Sequence, residues 1–124
     1  MNEPLILTPT IYQDCAERTL LDKPLRQLSD HEIMVAWCAL GLAGEAGEFA
    51  DLIKKMIFHG HEVKLEKLIL ELGDVQWYIS ALASKLGVPL DMVMRRNLAK
   101  LDRRYPDGFN QEASKARIDQ AESK

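Results

Sequence analysis

Between residues 63 and 86, Leu65, Leu68, Leu72, Val75, Ile79, Leu82 and Leu86 recur at steps of three and four without a break. That spacing predicts a helix with one apolar seam, and such a seam must be covered by another helix. A partner lies just upstream. Ser29-Asp-His-Glu32 has the form of a capping box before an apolar run, so a long helix is expected from about residue 30 to 58. His59-Gly60-His61 ends it, with Gly60 as the left-handed residue past the helix. Gly87 breaks the seam-bearing helix, and Pro89 starts another in its first turn, running to about residue 104. Thr8 and Pro9 open a shorter helix over 8–21, with loose apolar spacing at Ile11, Cys15 and Leu20. "YPDGF" (105–109) is turn chemistry, and the tail from Asn110 forms a last short helix or frays. No segment carries a strand pattern. The expectation is an all-α, antiparallel helical bundle of four to five helices: one domain over residues 1–109, then a polar C-terminal tail over 110–124. The apolar faces exceed what one copy covers, so a homodimer or homotetramer is expected.

Charge and cysteine usage narrow the function classes. The 124 residues carry a formal net charge of −3, which argues against binding nucleic acid through an overall positive field. Cys15 and Cys38 form no CxxC pair and are expected as small buried side chains in a reducing cytoplasm. The N-terminus has no basic region and too short an apolar run for a signal peptide. The longest uncharged run, residues 33–44, is too short to span a bilayer. A cytoplasmic protein without membrane or nucleic-acid partners is the expectation.

"GLAGEAGEFADLIKK" (41–55) places Gly41, Gly44 and Gly47 inside the first long helix, around Glu45 and Glu48. Each glycine there costs about 1 kcal/mol relative to Ala. Small residues would let a second helix, or a substrate, approach the backbone. The next helix carries Glu71-x-x-Asp74. Residues three apart share a face, roughly 60° apart around the axis, and like charges at that spacing repel. Glu45 and Glu48 stand among Leu40, Leu42, Phe49 and Leu52, on the expected inner side; Glu71 stands between Leu68 and Val75. In an antiparallel pair turning near Gly60, Glu48 and Glu71 come level, and four carboxylates converge. Protons or cations must neutralise them. Hard divalent cations suit an all-oxygen donor set, and Mg²⁺ keeps coordination sites for water and phosphate. The Glu-x-x-His pattern of di-iron bundles is absent from the chain. Tyr78 is four past Asp74 and points the same way, toward a substrate. Trp37 and Trp77 are weighted toward the core, and His31, His59 and His61 toward solvated helix ends.

With both carboxylate pairs in view, the chain resembles the MazG-like family of all-α nucleotide pyrophosphohydrolases. The matching stretches are "GLAGEAGEFADLIKK", "ELGDVQWYISALASKLG" (71–87) and "NLAKLDRRYPDGF" (97–109). The resemblance implies a helical bundle assembled as dimers or tetramers and Mg²⁺-dependent cleavage of a nucleoside triphosphate to monophosphate and pyrophosphate, with Mn²⁺ as a substitute metal. It implies Glu45, Glu48, Glu71 and Asp74 as metal ligands and Lys54 and Lys55 as the basic pair after the first motif. Asn97, Lys100, Arg104 and Tyr105 match positions around the substrate phosphates and sugar.

A triphosphate with its metals needs both carboxylates and cations. Metals polarise the α-phosphate and acidify the attacking water; Glu48 or Glu45 takes its proton as general base. Two alternatives remain open. A related enzyme would act on phosphoribosyl-ATP or on dUTP or dUDP. A non-catalytic dimerising module would use the carboxylates as a structural metal site.

Overall fold

The computed structural model describes residues 7–117, folded into five helices with no strand among the described residues. The first, α1 (Pro9–Glu17), starts with Thr8 accepting a hydrogen bond from the Ile11 N–H at 3.2 Å, and Pro9 fills the first turn. It stops earlier than its apolar spacing suggests. The Thr19 hydroxyl and N–H both donate to the Ala16 carbonyl, closing a tight turn; Cys15 is consequently exposed, not buried. An irregular stretch over residues 20–29 leads into α2 (Asp30–Phe58).

The capping box forms as the sequence predicts. Ser29 Oγ accepts from the Glu32 N–H at 3.2 Å, and the Glu32 carboxylate accepts from the Ser29 N–H at 2.9 Å. Arg26 reaches back to the same carboxylate, so the Glu32 carboxyl is held down at about 2, chiefly by Arg26 and then by Ser29. The other end of α2 closes with His59 donating to Lys55 and with Gly60 at φ 67°. After it, α3 (Leu65–Lys85) runs antiparallel and ends in a Schellman motif: Val88 donates to Ala83 and Gly87, at φ 68°, donates to Ser84. Pro89 sits one place outside α4 (Leu90–Arg104), as its N-cap with ψ 136°. Finally α5 (Gln111–Ala116) is capped by Asn110, whose side-chain oxygen accepts from Ala113 at 2.7 Å. The remainder of the expected tail, residues 118–124, lies outside the described residues, as do residues 1–6.

The principal packing is α2 against α3, with α4 leaning on α3. The covered positions on α2 are Val35, Cys38, Leu42, Glu45, Phe49 and Leu52, alternating steps of three and four. On α3 they include Leu68, Glu71, Val75, Tyr78 and Leu82, with Ile79 and the buried Ala83 beside them. Leu65, Leu72 and Leu86, expected on the seam, are exposed instead. Leu72 follows Glu71 by one residue, about 100° around the axis; once Glu71 faces α2, Leu72 cannot. Among the described residues, only Cys38, Leu52 and Ala83 are buried apolar side chains.

Candidate active site

Two of the covered positions hold carboxylates where a core would normally place leucine. Glu45 fills the step between Leu42 and Phe49; Glu71 fills the step between Leu68 and Val75, and both are half-buried. Asp74, one turn along α3, is exposed at the rim. Carboxylate oxygens of Glu45, Glu71 and Asp74 lie within 4.8 Å of one another. The Glu45 carboxyl is pushed above its ordinary range, first by partial burial and then by the charges of Glu48, Asp74 and Glu71. Three anions at that separation favour binding a cation, and an all-oxygen set suits a hard divalent ion.

Glu48 does not join the three. It is exposed and lines an adjoining groove of about 310 Å³, where it neighbours Gly44, Gly47, Lys55, Lys67 and Glu71. Its offset follows from the helix: three residues past Glu45 it turns off the seam toward the glycines. A methyl group built on Gly44 or Gly47 would meet nothing within 4 Å. Those two glycines are the floor of an open groove. Gly41 is different, because a Cβ there would overlap the Tyr78 ring.

Both lysines after the first motif are held by one residue. Asp51 Oδ1 pairs with Lys54 and Oδ2 with Lys55, each at 2.6 Å. The two lysines keep the Asp51 carboxyl at about 2. Lys55 lines the groove; Lys54 does not. Tyr78 stands against Gly41 with Trp37 at 5.7 Å and Trp77 at 4.9 Å between ring centroids. Neither tryptophan is core, since both expose about half their surface (50% and 56%). On α4, Asn97 and Lys100 are exposed, Arg104 lies with its guanidinium 5.7 Å from the Tyr105 ring centre, and Tyr105 packs on Phe109. None of these four lines the groove beside the carboxylates. His31, His59 and His61 are exposed at helix ends, as expected. Asp51 and Lys67 were not singled out in sequence. Their signals were present: Asp51 extends the Glu45-x-x-Glu48 step by three more, and Lys67 precedes Glu71 by four.

An antiparallel helical hairpin that gathers carboxylates along its seam, beside an open groove, defines the class of this protein. Residues 35–109 match the model of the MazG nucleotide pyrophosphohydrolase domain, and the chain belongs to that family. A relative in Mycobacterium phage L5, the Gene 37 protein, is 41% identical over 81 residues, which are 62% of this chain and 71% of the relative. No solved structure matches. The family is metal-dependent in general, and the three-carboxylate cluster is a candidate position for an ion.

Proposed function

We propose that this chain is a Mg²⁺-dependent nucleoside triphosphate pyrophosphohydrolase, releasing monophosphate and pyrophosphate. The observation that carries the reading is the cluster of Glu45, Glu71 and Asp74 oxygens within 4.8 Å, opening onto a lysine-bearing groove. Glu45, Glu71 and Asp74 would hold the ion. Mg²⁺ or Mn²⁺, when bound, neutralises phosphate charge and makes a nearby water more acidic. Glu48, outside the cluster yet beside Glu71, is free to accept that water's proton. Water oxygen bonds to the α-phosphorus as the bridging bond to the β-phosphate breaks, and the pyrophosphate charge meets Lys55 and Lys67.

Asn97, Lys100, Arg104 and Tyr105 serve phosphate and sugar once α4 is brought to a groove, and a second copy supplies the means. A 14.1 kDa monomer is expected to expose about 6,700 Å², whereas this chain exposes 10843 Å². Leu40, Ile57, Phe58, Leu72 and Leu98 are all exposed. Assembly as a homodimer or homotetramer buries such faces. By length and composition α2 could cross a membrane; the carboxylates Glu45, Glu48 and Asp51 within it and its packing on α3 support a cytoplasmic enzyme instead.

Incubation with Mg²⁺ and a panel of ribo- and deoxynucleotides, including dUTP, dUDP and phosphoribosyl-ATP, tests the reading. Monophosphate and pyrophosphate are expected, and a chelator abolishes them. Glu48→Gln lowers kcat by about 10²-fold or more while Mg²⁺ binding persists; Glu71→Gln loses both. A wild type inert across the panel means a non-catalytic module, and release of orthophosphate places the cut elsewhere.

A further inference from the structure

The groove does not end at the carboxylates. Beside Lys55 and Lys67 lies a second cavity of about 380 Å³, where the C-terminal end of α2 meets the N-terminal end of α3. Leu52, Lys55 and Lys67 line both spaces, so the two adjoin. We propose that this second cavity is an anion-binding pocket for the terminal phosphates of a triphosphate, and for free pyrophosphate. The proposal deepens the pyrophosphohydrolase reading and rests on it for the substrate.

Charge is the first support. Lys55, Lys64 and Lys67 line the pocket against one carboxylate, Glu62, which leaves +2 before His61 is counted. The whole chain carries −3, so this concentration runs against the sign of the molecule. Lys55 is partly committed to Asp51. Lys64 and Lys67 are in no ion pair among the described residues. The start of α3 adds to the field: Lys64 occupies the N-cap without a side-chain hydrogen bond, and the positive end of the helix dipole faces this side.

Order along the groove is the second support. Trp37, Gly41, Glu45, Glu48 and Lys55 succeed one another along α2, while Tyr78, Asp74, Glu71 and Lys67 follow the same direction in reverse along α3. The hairpin is therefore graded from half-exposed aromatics, through carboxylates, to lysines. A nucleoside triphosphate with its metal is graded alike: a flat base, a metal-bridged phosphate, then terminal phosphates. Lys67 lies four residues from Glu71, about 6 Å of axial rise, which puts its ammonium past the metal ligands on the phosphate side. The reverse orientation would set terminal phosphates against Trp37 and Tyr78, which carry no positive charge.

Calorimetric titration of inorganic pyrophosphate into the full chain with Mg²⁺ tests the pocket directly. The Lys64→Gln/Lys67→Gln variant is expected to bind pyrophosphate at least tenfold more weakly, and KM for a triphosphate rises by a similar factor. Lys67→Arg keeps the charge and restores binding to within about threefold, which serves as the check if the double variant folds poorly. Mg²⁺ alone should bind the double variant no more weakly than wild type. Unchanged pyrophosphate affinity in a folded double variant overturns the pocket, even if nucleotides are cleaved. A wild type that binds pyrophosphate yet cleaves no nucleotide keeps the pocket and removes the hydrolase reading.

Discussion

Gly41 and Gly44 are three residues apart on one helix, and opposite demands fall on them. At Gly41 a Cβ would overlap the Tyr78 ring. Gly41→Ala therefore forces the ring aside and should destabilise the chain by about 1–3 kcal/mol, the usual range for overpacking. The double variant with Tyr78→Ala should lose less than the sum of the two single changes, because they share one contact. Gly44 and Gly47 have open space around them. Alanine there removes the helix-propensity cost, about 1 kcal/mol per site, so both variants should unfold at higher denaturant concentration. Their methyl groups project into the groove beside Glu48, and nucleotide hydrolysis should fall as stability rises. Urea titrations beside steady-state rates measure the two effects. A loss of both at Gly44 would mean that this glycine serves packing, as Gly41 does.

At the scale of elements, the start of α2 is held by one carboxylate serving three groups. Glu32 accepts from the Ser29 N–H, the Ser29 hydroxyl and Arg26, and is kept at about 2. Ser29→Ala should cost about 1 kcal/mol through the lost cap. A depressed carboxyl stabilises the fold above its unfolded value and loses that contribution as pH falls toward the folded one. Glu32 and Asp51 are both depressed to about 2 from 4.5 and 3.8. The midpoint of thermal unfolding should therefore drop between about pH 4.5 and 2, and Glu32→Gln should flatten that slope. The same cap explains why α2 was legible: capping box and Gly60 mark both ends chemically, and the helix runs from Asp30 to Phe58. Elsewhere local chemistry underdetermined the outcome. Apolar residues on α3 occupy more than one face, and spacing alone does not choose the one that meets α2; Tyr78 filling the gap at Gly41 favours the observed one. The carboxylates on the seam stood out because they interrupt an apolar pattern. Asp51 and Lys67 did not, since a charge among charges looks like an ordinary solvated face.

The whole molecule raises the question of where the α4 residues act. Asn97, Lys100, Arg104 and Tyr105 do not line the groove of their own hairpin, and roughly 4,000 Å² of surface is exposed beyond that of a typical monomer of this mass. Light scattering should accordingly give a multiple of 14.1 kDa, and Leu40→Asp, on an exposed face of α2, should reduce it to the monomer with a fall in thermal midpoint. The thermal midpoint of the wild type should rise with protein concentration. If each groove is completed by α4 of another copy, two dead variants should rescue one another. Glu71→Gln lacks a carboxylate of the cluster but keeps α4; Lys100→Gln/Arg104→Gln lacks two of the α4 cations but keeps the carboxylates. Co-expressed as a dimer with random pairing, half of the assemblies are mixed, and each mixed dimer has one intact site of two. About a quarter of wild-type activity should return. If α4 instead folds onto its own groove, both sites of every mixed dimer stay defective and no activity returns. Because neither variant alone is active, any recovered turnover reports assembly and shared sites together.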